Sequence, residues 1–240
     1  QAVLLEAPPD LDVAALEKAV ARVLEHHDAL RLRFIRDVSG WLPENAPKET
    51  QRVFSVHDLS GIEEHERAAA LETMATAIQA SLNLTVGPLV RVAFFALGAE
   101  LSSRLLIAVH HLVIDGVSWR ILLEDLQSAY EQLQNGAEIA VLPPKTSSYK
   151  QWAEAVSDYA HTDEVLSELD HWTSVVSSDG LKSLPVDHGA VVNRESTAQS
   201  LTLSLDEDET RALLQKVPEA YRAQPNDALL SALAIALTEW

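Results

Sequence analysis

Two apolar runs of nine residues each, LVRVAFFAL at 89–97 and LSSRLLIAV at 101–109, constrain the fold of this chain more than any other feature. A strand with one wet face alternates apolar and polar residues, and these runs barely alternate. Only three residues separate them, which is hairpin spacing. They read as neighbouring strands buried on both faces, in the middle of a sheet. The segment after residue 109 therefore leaves directly from the core. That segment is HHLVIDGVSWR, residues 110–120.

The flanking sequence supplies the rest of an α/β pattern. Residues 2–6 form a short apolar strand stopped by Pro8 and Pro9. Asp12 is placed to cap a helix whose Leu16, Val20, Val23 and Leu24 recur on one face. Residues 30–35 alternate like a strand, 40–49 read as a loop rich in Pro and charge, and 53–59 read as a strand. An Ala-rich helix is expected over 62–82 and another over 117–133, ending near Asn135 and Gly136. Ser147 is the expected cap of a helix reaching Tyr159, and one further helix is expected over 163–176. Residues 177–196 are polar and aperiodic and read as a linker. After it come an alternating stretch at 197–205, a capped helix at 206–217 and a last helix from Asn226 to the end. The domain reading is 1–176, a linker at 177–196, and 197–240 as the beginning of a second unit.

In HHLVIDGVSWR a histidine pair ends the apolar run, and Asp115 follows His111 by four residues. Neighbouring residues of a strand face opposite ways, so His110 and His111 are expected to differ in role, one in the packing and one in a cleft. A carboxylate near an imidazole orients the ring or supports its loop. Gly116 lets a ligand approach the backbone. The helix that begins there offers free N–H groups and the positive end of a dipole. The set reads as a base at the mouth of a cleft. For a metal, His111 and Asp115 make two ligands and no third is in the motif, so no metal is expected there. A second pair, His26 and His27 before Asp28, ends an amphipathic helix, where imidazole is favoured by the dipole. Trp119, Trp152, Trp172 and Trp240 read as packing residues. Glu124 and Glu131 read as a solvated helix face.

Composition narrows the function classes. The 240 residues carry a formal net charge of −18, a poor match for nucleic acid or an anionic lipid surface. The apolar stretch LLSALAIAL is about half a membrane span, so no membrane insertion is expected. QAVLLEAPPD lacks the basic start and long apolar core of a signal peptide and reads as a strand entered from natural sequence upstream. Cysteine is absent, which excludes disulfides and thiolate chemistry and fits a cytoplasmic protein.

HHLVIDGVSWR resembles the HHxxxDG active-site motif of the condensation superfamily of nonribosomal peptide synthetases. Its continuation GVSWRILLEDL resembles the epimerization branch. AVLLEAP, ALEKAVARVLEHHDALRLRF, LNLTVGPLVRVAFF, SSYKQWAEAV, ELDHWT and YRAQPNDALLSALAIAL also resemble segments of that family. The resemblance implies a chloramphenicol-acetyltransferase-like α/β fold, a two-layer sandwich lobe followed by the start of a similar one. It implies epimerization, L to D at Cα, of an aminoacyl or peptidyl thioester. The substrate hangs on the 4'-phosphopantetheine arm of a peptidyl carrier protein, with no cofactor bound by the domain itself.

By that correspondence His111 is catalytic, and His110, Asp115 and Gly116 support the site, Asp115 by a salt bridge. Ser118 and Trp119 are candidate contacts to the substrate arm. The implied second base is a glutamate in a Glu-Gly-His-Gly-Arg-like stretch that these residues do not contain. The expectation is therefore a first lobe plus part of a second, inactive alone. Three other readings use the same motif. One is a condensation domain that forms the peptide bond between carrier-bound substrates. Another is a silent recruitment module, and the third a small-molecule acyltransferase, which the VSWRILLEDL continuation fits poorly.

Overall fold

A computed structural model of the chain describes residues 1–38, 40–47, 52–98, 101–177, 189, 192 and 194–239. The chain divides into two compact units, Gln1–Ala160 and His161–Trp240.

The first unit is built on a four-stranded sheet. Its strands are β1 (Ala2–Ala7), β4 (Phe54–Asp58), β5 (Val90–Ala96) and β6 (Ser103–Val109), in the spatial order β1-β6-β5-β4. β5 and β6 are the central pair, antiparallel with Val90 opposite Val109; β1 runs antiparallel to β6 and β4 parallel to β5. The near-continuous apolarity of the central strands follows from what covers them. Val90, Val92, Phe94, Leu105, Ile107 and Val109 pack on one face, in the same cluster as Leu16, Val20 and Val23 of α1 (Val13–His26) and Leu122, Leu126 and Ala129 of α3 (Gly116–Gln134). Ala93, Phe95 and Leu106 pack on the other, against Leu59 and Leu71, Met74, Ala75 and Ile78 of α2 (Glu64–Ala80). A strand with helices on both faces has no wet side on which to place polar residues.

Local signals set the element ends. Asp12 Oδ1 accepts hydrogen bonds from the N–H groups of Ala14 and Ala15, both at 3.0 Å, as an N-cap does. The N–H of Asp12 itself donates to the Tyr130 hydroxyl of α3, 3.1 Å away, so the two helices are tied at the start of α1. The capping residue of α4 (Tyr149–Tyr159) is Ser148 and not Ser147; Ser148 and Gln151 form a reciprocal capping box.

Three further expectations change. Residues 40–49 are not all loop: Gly40–Asn45 is a strand, β3, paired antiparallel with β2 (Leu32–Asp37) in a separate two-stranded ribbon. Pro43 is tolerated because it faces Phe34, whose N–H is turned away to the Leu84 carbonyl, 2.8 Å off. At such a non-hydrogen-bonded pair the missing proline N–H would also have pointed outward, so no ladder bond is lost. The helix expected over 163–176 is two pieces, α5 (Asp163–Leu166) and α6 (Leu169–Val176). At the break the Ser167 hydroxyl donates to the Glu164 carbonyl at 2.7 Å, competing for a helical acceptor.

The third change lies in the second unit. Residues 198–205 form no strand, and Leu201 and Leu203 stand 87% and 85% exposed. An alternating pattern becomes a strand only where a neighbour takes its backbone hydrogen bonds, and none does among the described residues. The capped helix expected from residue 206 is present as α7 (Glu207–Arg211). A π-helical turn over Ala212–Lys216 carries it into α8 (Val217–Tyr221), and α9 (Pro225–Glu239) follows. Most of the stretch read as a linker, and Trp240, lie outside the described residues.

Candidate active site

The histidine pair stands just beyond the sheet. β6 ends at Val109, so strand alternation does not separate His110 from His111 as expected. A turn does. The His110 N–H donates to the Leu89 carbonyl at 2.9 Å, extending the β5–β6 ladder by one bond, and Val113 N–H closes the turn on the His110 carbonyl at 3.0 Å. The half-buried His110 ring accepts from Leu112 N–H through Nδ1 at 3.2 Å, so it braces the turn. His111 is on the exposed side.

The protonation pattern of His111 is fixed by what it touches. Its Nδ1 is 2.7 Å from the Ile114 carbonyl oxygen, which can only accept, so Nδ1 carries the hydrogen. In the neutral ring Nε2 then holds a lone pair. The other neighbours agree from the opposite end. Trp119 Nε1–H, which can only donate, lies 2.7 Å from Gln1 Oε1. That turns the amide nitrogen of Gln1 toward His111 Nε2, 3.3 Å away, as a donor to the lone pair. A single direction of donation runs Trp119 to Gln1 to His111 to Ile114. The result is a base poised on one nitrogen.

Asp115 opens α3. Its Oδ1 accepts from Ser118 N–H at 2.8 Å and from the Ser118 hydroxyl at 2.7 Å. These bonds, the hydroxyl first, hold the Asp115 carboxyl below the usual carboxylate range, and the nearby His111 adds to the effect. Asp115 therefore supports the loop as an N-cap; the expected salt bridge is absent among the described residues. The cap also occupies the Ser118 N–H, one of the helix donors expected to be free for a ligand. The Ser118 hydroxyl likewise gives its hydrogen to Asp115, and Trp119 is half-buried against the core with its N–H on Gln1, so neither has a free donor hydrogen for a substrate arm. Arg120 pairs with Glu124 on the exposed side of α3 at 3.7 Å, and Glu131 accepts from Gln127 at 2.8 Å. A Cβ at Gly116 would meet nothing within 4 Å, so the backbone there has open space beside it.

Elsewhere, Trp152 and Trp172 are 63% and 57% exposed and are not core residues of the described chain. The His26–His27 pair does more than sit against a helix dipole. His27 Nε2 lies 2.8 Å from Asp125 Oδ2, linking α1 to α3. Burial, and then His27, push the His26 ring below the ordinary imidazole value. Sequence reasoning passed over Asp125, yet a signal was there: it is the one acidic member of the inward stripe Leu122, Asp125, Leu126, Ala129, and a charge in that position calls for a partner. It also passed over Gln1, for which no motif spacing exists.

The sequence profile of the condensation domain family matches residues 1–240. Across its whole length the chain is 47% identical to a component of the linear gramicidin synthase of Brevibacillus parabrevis, and it spans 5% of that relative. It is 34% identical to tyrocidine synthase 1 of the same organism, again over the whole chain and over 22% of the relative. Among solved structures, the epimerization domain from the third module of tyrocidine synthetase B superposes with a TM-score of 0.85 at 37% identity, covering 100% of this chain and 54% of that one. The X-domain from teicoplanin biosynthesis superposes with a TM-score of 0.80 at 24% identity, covering 100% and 52%, a likeness of fold alone. No helix among the described residues is long and apolar enough to cross a membrane.

Proposed function

We propose, because this chain belongs to the condensation domain family, that it supplies the histidine half of an epimerizing site in nonribosomal peptide synthesis. The substrate is an aminoacyl or peptidyl thioester on the 4'-phosphopantetheine arm of a peptidyl carrier protein. The observation that carries the reading is the His111 ring, exposed at the end of β6, with Nδ1–H on the Ile114 carbonyl and its Nε2 lone pair turned to the Gln1 amide, which a substrate would have to displace.

A thioester α-proton is weakly acidic, so its removal needs a placed base and stabilisation of the negative charge that develops. His111 Nε2 takes the proton, and the bond from Nδ1–H to Ile114 holds the ring as it becomes cationic. The Asp115 carboxylate, ionised at neutral pH, favours that cation. Open space at Gly116 admits the arm. Inversion requires a second proton carrier on the other face of the substrate. Gln1 and Ile114, which hydrogen-bond His111, cannot serve, so that carrier comes from outside this cluster. Support for epimerization over peptide-bond formation comes from the 37% identity to a solved epimerization domain along the entire chain.

The test joins this chain to the rest of a two-lobed domain and supplies a carrier loaded with one L-aminoacyl group. The reading expects a mixture of D and L residues after hydrolysis of the thioester. Retention of L, with amide formed when a second loaded carrier is added, contradicts it and points to condensation.

A further inference from the structure

A second group of chemically capable side chains lies on the seam between α1 and α3, apart from the HHLVIDG turn. We propose that His26, His27 and Asp125 form a site for one divalent transition-metal ion of the zinc type, fastening the end of α1 to the middle of α3.

The end of α1 makes this geometry available. Consecutive helical residues point about 100° apart and do not share a ligand. His26 is the last helical residue, and His27 leaves the helix with extended dihedrals, φ −88° and ψ 98°. The change in direction brings the two imidazoles edge to face, with centroids 4.9 Å apart. Asp125 meets them from the buried face of α3. One ligand atom from each residue lies within 4.8 Å of the others, and the closest pair, His27 Nε2 and Asp125 Oδ2, is 2.8 Å apart. Ligands around a tetrahedral zinc ion stand about 3.3 Å apart, given bonds of about 2.0–2.1 Å. The existing spacings bracket that value, and small side-chain rotations reach it.

Unused bonding capacity supports the same reading. Among the described residues the half-buried His26 ring makes no hydrogen bond, and Asp125 Oδ1 makes none although Asp125 is only 9% exposed. Neither is sealed from solvent, the one enclosed side-chain atom without a partner among the described residues being Arg31 Nε, so both are open to an entering ion. The nearby cations are paired with other carboxylates: Arg22 with Glu25 at 3.7 Å, and Arg31 and Lys145 both with Asp28, at 2.6 Å and 2.9 Å. Asp125 is left as the anion that faces the imidazoles. Two imidazoles and one carboxylate suit zinc with a position left for water, whereas magnesium or calcium prefers an all-oxygen shell.

The experiment titrates Zn²⁺ into the tag-free 240-residue chain by calorimetry after metal stripping. The expected result is one ion per chain. Affinity should fall at least about tenfold in His26→Gln and in Asp125→Asn, the lower end of the loss seen when even an outer partner of a metal ligand is removed. It should be unchanged in His65→Gln, on the exposed face of α2. His26→Gln keeps the His27–Asp125 bond and so is the variant expected to stay folded, which circular dichroism checks. The unfolding midpoint should rise with zinc concentration in the parent chain and not in His26→Gln. Absence of saturable binding, or equal binding by the parent and a folded His26→Gln, overturns the proposal.

Discussion

The chemistry of the site rests on which nitrogen of His111 bears hydrogen. Distances alone do not decide that for an imidazole, but fixed-polarity neighbours do. The Ile114 carbonyl can only accept and the Trp119 indole can only donate, so the chain between them has one direction. Nitrogen-15 spectra of the neutral ring should therefore show Nδ1 protonated and Nε2 bare, and the reverse tautomer would contradict the assignment. Asp115 makes a second test at this scale. Its bonds to Ser118 lower its carboxyl below the usual range. The cap thus contributes fully above the ordinary carboxylate pKa and is lost as the pH falls through the lowered value of the folded chain. A carbon-13 titration of Asp115 should give a midpoint below that of a free aspartate, and Ser118→Ala should move it up. An unshifted midpoint in the parent chain contradicts the capping role.

Single elements were legible in proportion to how local their causes are. The α1 cap at Asp12 and the central strands were readable because capping and burial leave marks within a few residues. Asp12→Ala should cost about 1 kcal/mol by chemical denaturation, a typical loss for an N-cap. No change would mean the Ala14 and Ala15 N–H groups find water at no cost. The strand β3 was hidden by Pro43, because its tolerance depends on where Phe34 sends its own N–H, a fact of pairing and not of composition. Residues 198–205 failed in the other direction: alternation predicts a strand, and no neighbour among the described residues makes it one. The HHLVIDG turn was legible as a motif, but the role of Asp115 was misread as a salt bridge because its partner, Ser118, is three residues away and uncharged.

Over the whole molecule, the first unit depends on a sheet buried from both sides. Phe95 is fully enclosed between the sheet and α2, so Phe95→Ala should destabilise the chain by about 3–5 kcal/mol, read from its urea midpoint. A loss under about 1 kcal/mol would contradict the packing of α2 on that face. The same burial anchors the exposed HHLVIDG turn at both ends: it springs from Val109, which has no exposed surface, and is closed by Asp115 on the first turn of α3. The chain belongs to the condensation domain family and covers 54% of a solved epimerization domain. The proposed epimerization requires that His111 move the substrate α-proton. Deuterium uptake at Cα of a carrier-bound aminoacyl thioester in heavy water, with this chain joined to the remainder of the domain, reads that step directly. Steady uptake is expected with the parent sequence and none above background with His111→Ala; undiminished uptake in a folded His111→Ala protein would contradict the proposed role.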